Sequence, residues 1–88
     1  MSRSHRTIPA ATLADLPDGS AATVQQVQAD GAALDAMQLH RLRELGFLPG
    51  EPVQVVRRGP GGREPLAVQV GDTLFALRLA EARCVLVA

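Results

Sequence analysis

Apolar positions along this chain follow two different rhythms, and the change between them falls at one point. Leu39, Leu42 and Leu45 lie three residues apart and share one side of a helix. Beyond Pro49-Gly50 the rhythm drops to two, with Leu66, Val68 and Val70 alternating against Ala67 and Gln69. The helix is fenced at both ends. Asp35 as N-cap with Gln38 three residues on is a capping-box variant. Leu34 and Leu39 have the spacing of a hydrophobic staple. Gly46 suits the left-handed residue that stops a helix, and Phe47 with Leu42 forms the apolar contact of a Schellman stop. The spacing therefore predicts a helix over 36–45. Ala36, Leu39, Leu42 and Leu45 lie on its inner side, and Met37, His40, Arg41 and Glu44 on its outer side. Pro49-Gly50 fits the centre of a type II turn, and Val53-Gln54-Val55 begins a strand.

The remaining segments read as short strands joined by turns. Residues 1–11 carry no pattern and are expected to form a flexible arm, with one domain over 12–88. Thr12 to Asp15 has capping-box spacing and predicts one helical turn, after which Leu16 docks on the core. Pro17-Asp18-Gly19 predicts a type I turn with Pro second and Gly fourth. A strand follows over about 22–29. Val24 and Val27 break strict alternation, which calls for a bulge or strong bend between them. Val53, Val55 and Val56 are β-rich, Gly59–Pro65 is a loop, and Gly71-Asp72 is a two-residue hairpin turn. Thr73, Phe75 and Leu77 alternate with Leu74, Ala76 and Arg78. Leu79 to Arg83 fits one helical turn, and Cys84 to Val87 a last strand. The sum is mainly β: a small barrel of about five antiparallel strands with one helix inserted after the first strand.

Composition narrows the function classes. Nine basic and nine acidic residues cancel, so there is no bulk attraction to nucleic acid or anionic lipid. Two Phe, no Trp and no Tyr leave no aromatic groove for Pro-rich peptides and no stacking platform for bases. One Cys excludes an internal disulfide and a multi-cysteine zinc site. No secretory leader and no bilayer-spanning run is readable, so the expected location is the cytoplasm. Gly59-Pro60-Gly61-Gly62 lacks the residues and context of a phosphate-binding loop, and no nucleophile–base pair is readable. The chain is not expected to be an enzyme.

Arg41, Leu42, Leu45-Gly46-Phe47, Pro49-Gly50 and Val53-Gln54-Val55 together resemble the signature of ferrous iron transport protein A, FeoA. So do the Pro-ended loop, the tight hairpin, Ala76-Leu77-Arg78, Glu81-Ala82 and the short β end. The likeness covers about residues 12–88. It implies an SH3-like barrel and a non-enzymatic accessory role to FeoB, the membrane ferrous-iron permease with a cytosolic GTP-binding domain. The same module occurs at the C-terminus of iron-dependent repressors, but no helix-turn-helix is readable in these residues.

Candidate chemistry follows from both readings. The outer helix face, Met37, His40, Arg41 and Glu44, with the adjoining Leu48-Pro49 turn, is the expected partner-binding surface; the Gly59–Pro65 loop is second. An exposed Met beside mixed charges suits a protein contact. Arg41 is also placed to act in trans on a GTPase. His40 and Glu44, four apart, supply two metal ligands, and His5 or another molecule would have to complete a site for Fe²⁺ or Zn²⁺. An ordinary exposed pair is the plainer alternative. Cys84 reads as a small buried hydrophobe. Arg57, Arg58 and Arg63 read as a basic rim around the Gly-rich loop. Asp35, Leu42, Leu45, Gly46, Phe47 and Gly50 are structural. A transition-metal-sensing module is the second function class, and nucleic-acid binding a third that charge and aromatic content weigh against.

Overall fold

In a computed structural model, which describes residues 11–31 and 34–88, the chain forms six strands and two helices. The strands are β1 (Ala11–Thr12), β2 (Ala21–Val27), β3 (Pro52–Arg58), β4 (Leu66–Val70), β5 (Thr73–Leu77) and β6 (Val85–Val87). Helix α1 (Ala36–Glu44) lies between β2 and β3, and α2 (Leu79–Ala82) precedes β6. The order across the sheet is β1-β6-β2-β3-β4-β5, antiparallel throughout. The sheet is SH3-like in its strong bend, but its two end strands are not hydrogen-bonded to one another, so the barrel is not closed. The strand beyond the expected five is β1, where Ala11 pairs with Val87 and Thr12 with Leu86. Of the arm expected over 1–11, residues 1–10 lie outside the described residues, and Ala11 belongs to this strand.

Strand β2 makes the corner. Its first half pairs with β3 and its second half with β6. The register slips between Val24 and Gln26, so Gln25 is the extra residue of a bulge. The slip turns both Val24 and Val27 inward, at 1% and 4% exposure, which resolves the broken alternation. A second slip in β3, between Val55 and Arg57, sets Val56 outside the ladder. Beyond it the inward phase passes from residue 57 to Arg58, which pairs with the buried Leu66.

The local stops form as their chemistry dictates. Gly71 has φ +57° while Asp72 stays negative, the Gly-first hairpin turn that joins Val70 to Thr73. Thr12 N–H donates to the Asp15 carboxylate at 2.9 Å and opens the expected helical turn, Leu13–Asp15. Leu16 packs at the core margin. The turn at Pro17 differs from expectation. Ser20 N–H donates to Pro17 C=O at 3.1 Å, so Gly19, at φ +84°, is third in the turn rather than fourth. Pro in the first position leaves the positive φ to Gly, the demand of a type II turn.

The core holds Leu13, Val24, Leu42, Phe47, Val55, Leu66, Val68, Leu77 and Val85, all under 3% exposed. Phe47 and Phe75 pack tilted, with ring centres 6.0 Å apart. No buried polar or charged side chain interrupts this cluster among the described residues.

Candidate functional site

Helix α1 and the turn after it carry the candidate surface, and their position follows from how the helix is fixed. Gln38 N–H donates to Asp35 Oδ1 at 2.8 Å, and Asp35 N–H donates to Gln38 Oε1 at 2.9 Å, the reciprocal capping box. At the other end, Phe47 N–H donates to Leu42 C=O at 3.2 Å and Gly46 N–H to Arg43 C=O at 3.0 Å. Those two bonds are the Schellman pair, and Gly46 sits at φ +117° to make them. Glu51 N–H then donates to Leu48 C=O at 3.0 Å with Gly50 at φ +91°, the expected type II turn. Leu42 and Phe47 are buried, and Leu39 and Leu45 are half-buried at the core margin. Ala36 is exposed, against expectation. At 100° per residue it lies about 120° from Leu42, off the inward stripe.

The outer side is open. Met37 is 79% exposed, and His40, Arg41 and Glu44 are exposed around it. Leu48 is 46% exposed and Pro49 is also exposed. His40 Nε2 lies 3.4 Å from Glu44 Oε2 across one helical turn. This pair is the one point on α1 where two metal-ligating side chains meet among the described residues. His5, the third candidate, lies outside them. Among the described residues no three His, Cys, Asp or Glu converge, so the donors present do not by themselves make a closed four-ligand zinc centre.

Two arginines have roles that spacing did not reveal. Arg43 Nη2 donates to Val27 C=O at 3.0 Å and ties the end of α1 to the end of β2. Arg58 Nη2 donates to Ala14 C=O at 2.8 Å while Nη1 pairs with Asp18 at 3.2 Å. Its side chain is 13% exposed, so the expected basic rim is reduced to Arg57 and Arg63. The signal that could have found it is the extra residue in the Val53–Arg58 run: a bulge there swaps which Arg faces inward.

Cys84 is fully buried, with Sγ donating to Ala80 C=O at 3.4 Å. Burial pushes its thiol above the ordinary range, and the charges of Asp30 and Glu81 add to the rise against a backbone hydrogen bond at Asp30. It behaves as a packed hydrophobe rather than a nucleophile. The Gly59–Pro65 loop turns at Pro60-Gly61, where Gly62 N–H donates to Gly59 C=O at 2.9 Å with Gly61 at φ +78°, and is closed at its base by Gly59 N–H donating to Pro65 C=O at 2.9 Å. A shallow groove of about 260 Å³ lined by Ala21, Pro52, Val53, Gln54, Gln69 and Gly71 has no acid, base or nucleophile on its walls. Among the described residues no helix is long and apolar enough to cross a membrane.

A bent antiparallel sheet, one capped helix between adjacent strands and an exposed mixed-charge helix face define a small SH3-like module built around a surface rather than a cavity. The comparisons with known proteins make the assignment specific. The FeoA domain model matches residues 11–88, and the chain belongs to the FeoA family. It is 52% identical to FeoA of Stenotrophomonas maltophilia, with a TM-score of 0.77 over 89% of both chains. That protein was solved in complex with zinc and is described as an SH3 domain protein proposed to activate ferrous iron transport. FeoA of Chlorobium tepidum is 31% identical, with a TM-score of 0.71 over 88% of this chain and 68% of that one. A manganese-dependent transcriptional repressor shares the fold, at 22% identity and a TM-score of 0.73, over 94% of this chain and 43% of the repressor. No curated protein sequence matches the chain.

Proposed function

We propose that this protein is a cytoplasmic, non-enzymatic accessory of ferrous iron uptake that binds the cytosolic side of a FeoB-like permease. Its contact surface is Met37, His40, Arg41 and Glu44 with Leu48 and Pro49, and the Gly59–Pro65 loop lies second. The observation that carries this reading is Met37, 79% exposed at the centre of a helix face with mixed charges on either side. A thioether held in water next to His, Arg and Glu adapts readily to a protein partner, and at that exposure it contributes little to packing among the described residues. Family membership supplies the ferrous-iron context. Titration of the purified protein against the cytosolic part of FeoB, for wild type and Met37→Asp, tests the surface. At least a tenfold loss of affinity is expected, about 1.4 kcal/mol. Unchanged affinity removes this face from consideration. Iron flux through reconstituted FeoB, with and without the protein, gives the sign of its effect.

A second reading, a transition-metal-binding module, is favoured by one distance, 3.4 Å between His40 Nε2 and Glu44 Oε2, and by the zinc bound to the Stenotrophomonas relative. The pair supplies two ligands, and His5 or another molecule would complete a site for Fe²⁺ or Zn²⁺. Calorimetry with each ion, for wild type and His40→Ala, separates the readings. Metal binding that vanishes with His40 favours the module, and no heat with either ion removes it.

A further inference from the structure

Strand β5 ends the sheet, and β4 is the one strand that pairs with it among the described residues. Across the two-residue hairpin, Thr73, Phe75 and Leu77 face Val70, Val68 and Leu66. In such a hairpin the residues flanking the turn exchange both backbone hydrogen bonds, and the pattern repeats at every second residue. Thr73, Phe75 and Leu77 therefore direct their N–H and C=O groups at β4. Those of Leu74 and Ala76 point the other way, along an edge that is unpaired among the described residues. Edges of native sheets are commonly blunted by charge, by Pro or by a covering element. Thr73–Leu77 contains neither charge nor Pro, and Leu74 is 59% exposed.

We propose that two copies of this chain pair along this edge, β5 against β5, antiparallel about a two-fold axis through Phe75. The register comes from the edge itself. Leu74 and Ala76 are the strand residues with outward backbone groups, so Leu74 opposes the partner's Ala76 and Ala76 opposes the partner's Leu74. Four backbone hydrogen bonds result. Each Phe75 then faces its counterpart at a non-hydrogen-bonded position, with Cα atoms about 4.5 Å apart. The same register sets Asp72 opposite the partner's Arg78 at both ends. Asp72 and Arg78 are exposed, and neither is in an ion pair among the described residues. The run Asp72-Thr73-Leu74-Phe75-Ala76-Leu77-Arg78 is thus apolar at its centre with an acid at one end and a base at the other. Reversed, it is its own complement, which is what an isologous two-fold contact requires. Centring on Leu74 or on Ala76 would satisfy fewer backbone groups and separate the charges. A single short edge buries little area, so the dimer is weak and concentration-dependent.

Sedimentation equilibrium of the full chain over a series reaching about 1 mM is expected to show a reversible monomer–dimer equilibrium. Ala76→Pro removes an outward N–H and leaves the β4 ladder intact, and should weaken the dimer at least about tenfold. Arg78→Asp, which keeps a good N-cap for α2, should weaken it through like charges at both ends. Adding Asp72→Arg should restore it, a rescue that a merely structural role of either residue would not produce. The charge exchange keeps the test intact if Ala76→Pro does not fold. A monomer throughout, or a dimer indifferent to these substitutions, overturns the proposal. Loss with Ala76→Pro without rescue by the exchange overturns the register.

Discussion

The two sides of α1 are made from the same nine residues, yet they are held to different standards. The inner side meets the sheet through Leu42 and leads directly into Phe47, both essentially without solvent exposure. Each position there is set by packing on one side and by a backbone hydrogen bond at the helix end on the other. The outer side, which carries Met37, makes no such demand; the ion pair it holds among the described residues is the exposed His40–Glu44 pair. Exposed pairs of that kind contribute little to stability. A protein free to change its outer residues without unfolding can adjust them to a partner, and the inner side is what gives that freedom.

Substitutions can break or sharpen this contrast. The largest effect is expected from Phe47→Ala, which empties the centre of the core beside Phe75 and should cost about 3–5 kcal/mol in urea unfolding. A cost below about 1 kcal/mol would mean that the inner side is not the anchor. Gly46→Ala comes next. Its new Cβ would lie 3.4 Å from Val70 Cγ1, an ordinary contact distance, so the cost comes from forcing a side chain to φ +117°. About 1–2 kcal/mol is expected, with the midpoint shifted and the m-value unchanged. Asp35→Ala removes one capping acceptor and should cost about 1 kcal/mol, read as a lower thermal midpoint. Met37→Asp should change stability by less than about 0.5 kcal/mol in the same assay while weakening the proposed partner contact at least about tenfold. If it destabilises as much as Asp35→Ala, the outer side is not free and the contrast fails.

How much of this was legible in the sequence depends on the reach of each interaction. The caps at Asp35 and Thr12, the stop at Gly46, the turns at Pro49-Gly50 and Gly71-Asp72 and the bulge near Val24 all involve residues within a few positions of one another. Side-chain chemistry at that range leaves few choices, and those features stand where they were expected. Ala36 was misplaced by helical phase alone, but the other misses need a distant partner. Strand β1 is two residues long and has meaning only beside Val87 and Leu86. Arg58 turns inward because β3 slips at Val56, and the groups that receive it, Ala14 and Asp18, lie about forty residues earlier in the chain. The turn at Gly19 moved by one position because Gly19 N–H is drawn to Val55 C=O at 2.6 Å, another long-range bond. The exposure of Met37, His40, Arg41, Glu44, Leu48 and Pro49 was legible from helical phase and turn chemistry. A partner for them is not written in local spacing, because recognition depends on a second surface.

The closed base of the Gly59–Pro65 loop has a practical consequence. Besides the Gly59–Pro65 bond, Glu64 Oε1 accepts from Leu79 N–H at 2.6 Å, so the loop is stitched to the start of α2 as well as to itself. Its tip at Gly61-Gly62 lies beyond that stitch, tied back within the loop by Gly62 N–H donating to Gly59 C=O at 2.9 Å. An affinity tag or fluorophore spliced between these two glycines would be carried as a tethered passenger, leaving the sheet and the outer helix face to be assayed in their native state.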